Sequence, residues 1–401
     1  MRILLVTDRY LPAIGGRERH VGELSRELIK RGHSVTICTT AYPNTPHYEE
    51  IDGTGVYRLS GFFSQIPFLY RDTTNRIPPP TQDWWLSREV KRIIEKIRPD
   101  VIHIHGWFVY SILPLKEIFQ VPLIYTIHDY GLLCPKANLL RGDRACYEPY
   151  TYKCLTCALN HYGIMKSLFA YFSIKANRRR LKAIDRFIAV SSSVREIYLK
   201  HLEMEDRDIV VIHNFFEPDM SQELTKADSL PEDYILFVGR LAPDKGIDVL
   251  IEAYRKMGSK IKLVLIGTRQ PPFKYEGSED LILMENASRA TVLKAYQKCR
   301  FAIFPSIWDE PLGTVTLEAM SSRKAIITSR LGGFTDVVLD KETGILVPPN
   351  DSKALAQAMS YLLENPEVAE RMGRRGYEHW RQFFTADRVV PQIEALYQSL
   401  L

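Results

Sequence analysis

The chain has 401 residues, 45% of them hydrophobic, 11% aromatic and 25% charged, with a formal net charge of +5. That length suggests two or three domains of ~100–200 residues each, and the apolar fraction excludes wholesale disorder. Residues 1–212 hold 30 basic and 22 acidic residues while 213–401 hold 23 and 26, a split that does not suit a uniformly basic nucleic-acid binder. No apolar run approaches the ~20 residues that span a bilayer. The start, Met1 to Asp8, is too briefly apolar for a signal peptide and reads as a first strand, so a cytoplasmic location is expected. Six cysteines are too few for a disulfide scaffold.

In chain order, Ile3–Thr7 reads as a buried strand, followed by the loop Leu11-Pro-Ala-Ile-Gly-Gly16. Val21, Leu24, Leu28 and Ile29 then recur at helical spacing, and Gly32 ends the helix. Ser34–Thr39, Val101–His105, Leu123–Ile127, Phe187–Val190 and Ile209–Ile212 are further strands. Strands alternating with helices imply a parallel sheet covered on both faces. Two stretches stand outside the alternation: residues 42–85, with Pro78-Pro79-Pro80 and Trp84-Trp85, and residues 130–172, with cysteines and tyrosines. Both follow strands and would sit on the ligand edge.

A polar segment, 214–231, reads as a linker. The pattern then restarts with Tyr234–Val238, Ile261–Ile266, Leu281–Met284, Phe301–Phe304, Ala325–Thr328 and Gly344–Val347. The fold class expected is α/β, with two doubly wound domains of 1–213 and 232–385, each with its ligand edge at the strand C-termini. A last helix, 386–401, has Val389, Val390, Ile393, Ala395 and Leu396 as its apolar positions.

Several residues at these edges carry chemistry. Glu310 and Glu318 frame a segment in which Gly313 opens a helix. The free N–H groups of a helix start attract phosphate or sugar oxygens, and a carboxylate on that helix can accept from a ribose diol. Arg240 and Lys245 flank a Pro-Asp turn after a strand, where two cations can clamp a diphosphate. Gly15 and Gly16 permit close backbone approach. His128, at a strand end, can hold a sugar hydroxyl or exchange protons, whereas His103 and His105 read as structural. Cys38 and Cys299 read as core residues.

The ordered set Leu11–Gly16 with Gly32-His33, Thr126-Ile-His-Asp129, Val238–Gly246, Pro305-Ser306, Glu310/Glu318, Gly332-Gly333 and Gly344–Pro348 resembles a family-4 retaining glycosyltransferase of the GT-B architecture. The resemblance implies two Rossmann-like domains facing a central cleft, with the donor site mainly in the second. It also implies a C-terminal helix that crosses back to the first domain. Arg240 and Lys245 would hold the donor diphosphate, Glu318 the ribose, and Glu310 hydroxyls of the donor sugar. The backbone of Leu312, Gly313, Thr314 and Val315 would contact sugar and phosphate. Gly16 would approach the phosphate and His128 the sugar near the reacting centre. The family works without a divalent metal, on a UDP- or GDP-sugar among other donors, and many relatives act on glycan or lipid-linked acceptors. Phe334-Thr-Asp336 and Asn214-Phe215 depart from the family's Pro-Glu and Asn-Gly. A nucleotide-sugar epimerase or phosphorylase on the same architecture is the enzymatic alternative. A zinc-containing nucleic-acid-binding protein is the non-catalytic one, although no nucleic acid is expected as a partner.

Cys134, Cys146, Cys154 and Cys157 have the Cys-x-x-Cys half-site and spacing of a structural zinc site. An iron–sulfur cluster and metal-free thiols are the alternatives. Lys175–Arg186 holds six basic residues and one acid after the aromatic run Met165–Ile174. It suits either an anionic membrane surface, which would make the protein peripheral on the inner face of the membrane, or a solvated helix face.

Overall fold

The computed structural model describes residues 1–13, 15–66, 79–142, 144–162, 164–218 and 228–401. Parts of the Pro-rich stretch (67–78) and of the linker (219–227) therefore lie outside the described residues. The chain divides into two compact units. One comprises Met1–Leu139, Cys146–His213 and Val389–Leu401; the other comprises Leu140–Ala145 and Asn214–Arg388.

The strands, in chain order, are β1 (Arg2–Thr7), β2 (Ser34–Thr40), β3 (Tyr48–Ile51), β4 (Thr54–Leu59), β5 (Val101–His105), β6 (Leu123–Ile127), the short hairpin β7 (Leu140–Arg141) and β8 (Arg144–Ala145), β9 (Arg186–Ala189) and β10 (Ile209–Val211). The first unit's sheet runs β10-β9-β6-β5-β1-β2-β4-β3. All of its pairs are parallel except β3 with β4. The central strands β1, β5 and β6 are buried on both faces because helices cover both. The helix Gly16–Lys30 buries Val21, Leu24 and Leu28. It closes at Gly32 (φ 84°), with the His33 N–H on the Leu28 carbonyl and the Gly32 N–H on that of Ile29.

Residues 42–85 are not wholly outside the alternation. Thr54–Leu59 is a sheet strand parallel to β2, joined to β3 by a turn at Asp52-Gly53, and Trp84–Ile97 is a helix capped by Asp83. Prolines and aromatics elsewhere in the stretch hide the period-2 pattern of Val56, Arg58 and the residues between. The last helix, Ala386–Gln398, buries Val389, Val390, Ile393 and Tyr397, while Ala395 is exposed. Its inward face thus follows i, i+4 from Val389 and Ile393 to Tyr397. The Tyr397 hydroxyl lies 2.6 Å from His103 Nδ1, and Glu394 bonds His33 Nε2 at 2.7 Å.

The second unit holds β11 (Tyr234–Val238), β12 (Lys262–Ile266), β13 (Leu281–Met284), β14 (Ala302–Phe304), β15 (Ile326–Ser329) and β16 (Gly344–Val347). Its sheet is entirely parallel in the order β13-β12-β11-β14-β15-β16. The core on one face includes Phe237, Leu250, Leu263, Ile303, Leu355 and Met359. The strand order reverses between β11 and β14, so the loops leaving these two strands diverge and open a crevice at their C-terminal ends. A side chain at Gly246 (φ 71°) would put its Cβ 1.8 Å from the Pro305 carbonyl oxygen, so only glycine lets the two loops touch.

Candidate active site

In the second unit the loop after β11 carries Arg240 and Lys245, and the loop after β14 carries Ser306, Trp308 and Glu310. The close approach at Gly246 brings them together. The Lys245 ammonium is bonded to Glu310 Oε1 and lies 5.1 Å from the centre of the Trp308 ring. Ser306 Oγ and Trp308 Nε1 donate to the same oxygen at 2.7 and 2.9 Å. Glu310 is only 5% exposed. Burial alone would raise its carboxyl, but Lys245 and these donors outweigh burial and hold it below the ordinary range. Arg240 pairs with Asp244 and donates to Gln270 Oε1 at 2.7 Å.

The Gly332-Gly333 pair packs on the backbone of Glu310. The Gly333 N–H bonds the Glu310 carbonyl at 2.6 Å, and a Cβ at Gly332 (φ 55°) would fall 2.4 Å from that oxygen. Gly313 adopts φ 77° before the helix Thr314–Ser321, and the Phe334 ring fills the place a side chain there would need. Phe334 thus sets the loop by packing. Leu312 is buried, and Thr314 and Val315 at the helix start are half-buried. Their N–H groups have no carbonyl four residues back in the helix to bond. Buried Glu318 accepts from Arg289 Nη1 at 2.7 Å, and the Arg289 guanidinium lies 5.4 Å from the Phe216 ring centre.

In the first unit the helix start at Gly15-Gly16, the end of β1 and the end of β6 meet through charge. Arg17 Nη1 lies 3.4 Å from Asp8 and 3.8 Å from Asp129. Asp8 also accepts the N–H groups of Trp107 and Phe108 at 2.8 and 2.6 Å. His128 Nε2 is 2.9 Å from His105 Nδ1, and the His20 ring stands 5.2 Å away. Burial holds all four neighbouring imidazoles down: His20 to about 4, His103 to about 3, and His105 and His128 well below 6.5. They are neutral at pH 7. His103 bridges Thr126 and Tyr397, whereas His105 is partnered with His128 itself. Sequence reasoning did not single out Asp8, Arg17, Asp129 or Arg289. Position immediately after a strand was the available signal for Asp8, and the Thr126–Asp129 motif already included Asp129.

Cys154 and Cys157 share one face of the helix Tyr152–Tyr162, and the Cys146 N–H bonds the Leu139 carbonyl at 2.6 Å. Burial pushes the Cys134 and Cys154 thiols up. Among the described residues no group of three or more His, Cys, Asp or Glu side chains is arranged to hold a metal ion. In the basic segment, Arg178 lies 5.0 Å from the Tyr150 ring centre and Lys175 5.8 Å from that of Tyr171. Phe169, Phe172 and Arg180 line a groove of 620 Å³. Among the described residues no helix is long and apolar enough to cross a membrane.

Residues 14–220 match the family described as Glycosyltransferase Family 4, and residues 221–379 match Glycosyl transferases group 1. The chain belongs to glycosyltransferase family 4. An uncharacterized glycosyltransferase of Methanocaldococcus jannaschii is 26% identical over 391 residues, covering 91% of this chain and 90% of that protein. The sucrose-phosphate synthase of Thermosynechococcus elongatus superposes with a TM-score of 0.74 at 21% identity, over 100% of this chain and 98% of the other. Anabaena HepE, solved in complex with UDP-glucose, gives 0.66 at 17% identity over the whole of both chains. The fold of this glycosyltransferase is therefore GT-B, with two Rossmann-like parallel-sheet domains.

Proposed function

We propose that this enzyme transfers a sugar from a nucleoside-diphosphate sugar to a glycan, lipid-linked or small-molecule acceptor. In this reading anomeric configuration is retained and no divalent metal takes part in the chemical step. The observation that carries it is the Lys245–Glu310 pair, set beside Arg240 and the helix start at Gly313 on one strand edge. Glu310 Oε1 takes three protein donors, and Oε2 takes none among the described residues. Oε2 is then the acceptor for a sugar hydroxyl. Arg240 and Lys245 are the cations for the diphosphate, and Glu318, held by Arg289, is the acceptor for the ribose diol. Gly15, Gly16 and His128 of the first domain are the further donor-contact candidates that the family resemblance implies.

In the step proposed, the bond from the anomeric carbon to the diphosphate oxygen breaks and the acceptor oxygen bonds that carbon on the same face. The acceptor proton passes to the departing phosphate oxygen. Charge builds on the diphosphate as it leaves, so fixed cations there stabilise the transition state more than the ground state. Removing one such group costs ~10²–10³ in kcat. HepE's complex with UDP-glucose makes UDP-sugars the first donors to test. A donor that binds is incubated with EDTA and without acceptor, and the anomer released by slow hydrolysis is read by proton NMR. The donor's own anomer supports the proposal. The opposite anomer, or loss of turnover with EDTA, refutes it, and rapid conversion of the donor to an epimer indicates the epimerase instead.

Two further readings of the first unit are proposals with their own tests. A structural zinc on Cys134, Cys146, Cys154 and Cys157 predicts one equivalent of zinc in the purified protein; neither zinc nor iron refutes a metal there. Anionic membrane contact through Lys175–Arg186 and the exposed Trp84, Trp85 and Phe172 predicts binding to vesicles that contain phosphatidylglycerol. Equal binding to neutral vesicles refutes it.

A further inference from the structure

The second unit has another cationic feature that shares no residue with the donor site. The helix Pro366–Phe383 places Arg374, Tyr377, Glu378 and Arg381 on one face, at i, i+3, i+4 and i+7. Arg388 follows in the first turn of the next helix, and Arg323 reaches in from the end of the helix Thr314–Ser321. Together with Gln382 these six line a groove of 490 Å³, with four guanidinium groups and a single carboxylate. Glu370 partners Arg374 at 2.6 Å from outside the lining.

Arg323 is held without a carboxylate. Its guanidinium carbon stands 4.3 Å from the centre of the Tyr377 ring, close enough for a cation–π contact. Its backbone is fixed as well. Arg323 adopts φ 56°, and a Cβ at Gly373 would fall 2.1 Å from its carbonyl oxygen, so the helix packs directly on this turn. Neither Arg323 nor Arg381 has an ion pair among the described residues. Cations gathered in one groove repel each other unless an anion or solvent screens them. Planar guanidinium groups match the oxygens of a phosphate bidentately.

We propose that this groove binds a phosphate-bearing anion. The chemistry is that of a phosphate monoester, which could arrive on a soluble sugar phosphate or on a lipid headgroup. The site is exposed, so its affinity falls steeply with salt.

Inorganic phosphate at low millimolar concentration is titrated into the full chain at fixed ionic strength, with binding followed by calorimetry and by thermal melting. Wild type and Lys245→Met should both bind it, with a rise of about 2–4 °C in Tm near saturation. Arg323→Gly and Arg381→Ser together should lose at least ten-fold in affinity and abolish the rise. Arg323→Gly is a benign change for the backbone because glycine suits φ 56°. A folded variant with no phosphate response is therefore the expected result. Phosphate binding that survives in the double variant and disappears in Lys245→Met would overturn the proposal by placing the ion in the donor loop. An equal response to sodium chloride at the same ionic strength would overturn it too. Glucose 6-phosphate binding ten-fold tighter than phosphate would identify a soluble ligand. Sedimentation with phosphatidic acid vesicles, lost in the double variant, would identify a headgroup.

Discussion

Lys245→Met isolates the Lys245–Glu310 pair, on which the proposed donor site rests. It removes the ammonium and leaves Glu310 Oε1 with Ser306 and Trp308 only. The two side chains are 20% and 7% exposed, so the pair is largely buried. Breaking such a pair costs ~3–5 kcal/mol, and the partial exposure of Lys245 points to about 3. The cost depends on pH with a definite sign. In the native protein the Glu310 pKa lies below its ordinary 4.5, so its contribution is present above that value and lost as pH falls. Lys245 is the largest counterweight to burial, so its removal should raise the folded pKa past the ordinary value even with Ser306 and Trp308 in place. The variant is then least penalised near pH 4.5 and loses stability as pH rises through its new pKa, by at most ~1.4 kcal/mol per unit. Urea unfolding of wild type, Lys245→Met, Glu310→Gln and the double variant at pH 5 and pH 7.5 measures this. The single lysine variant should recover toward wild type at pH 5, and Lys245→Met/Glu310→Gln should be more stable than Lys245→Met at pH 7.5. An equal deficit at both pH values, or one below about 1 kcal/mol at pH 7.5, would show that Lys245 and Glu310 are not a buried, mutually dependent pair.

Trp308→Phe keeps a ring near Lys245 but removes the N–H on Glu310 at 2.9 Å, and should cost ~1.5–3 kcal/mol by chemical denaturation. Tyr397→Phe leaves the buried His103 Nδ1 without its partner at 2.6 Å and should cost about 1–3 kcal/mol. His20, His103, His105 and His128 have folded pKa values well below 6.5, so the stability they confer is present above 6.5 and declines as pH falls below it. Melting temperature should therefore drop between pH 7.5 and pH 5; a flat profile would show that these rings are not buried in neutral form. Gly332→Ala, at φ 55° and with its Cβ 2.4 Å from the Glu310 carbonyl oxygen, should displace that loop and weaken nucleotide binding at least ten-fold by calorimetry.

The strands were legible because a parallel sheet covered on both faces writes its strands as short apolar runs, as in Ile3–Val6 and Leu263–Ile266. Thr54–Leu59 was not, because it alternates within a stretch dominated by prolines and aromatics. In the last helix Ala395 is apolar yet exposed, and Tyr397 belongs to the inward face because its hydroxyl finds a buried partner in His103, which no local pattern shows. In the candidate site, the positions of Arg240, Lys245, Glu310 and Glu318 after strands and at a helix start are legible in the sequence. Their partners are not. Trp308 and Arg289 join the candidate site only when the chain folds, since no local spacing ties Arg289 to Glu318. The His105–His128 contact likewise depends on the pairing of β5 with β6.

We propose that the second unit grips a nucleoside diphosphate through Arg240, Lys245 and Glu318. Titration calorimetry with UDP, GDP and ADP, on wild type and on Arg240→Met and Lys245→Met, tests it most directly. One of the three nucleotides should bind wild type without added metal, and each substitution should weaken it at least ten-fold. Binding of none of them to folded wild-type protein, or undiminished binding to both variants, would contradict it.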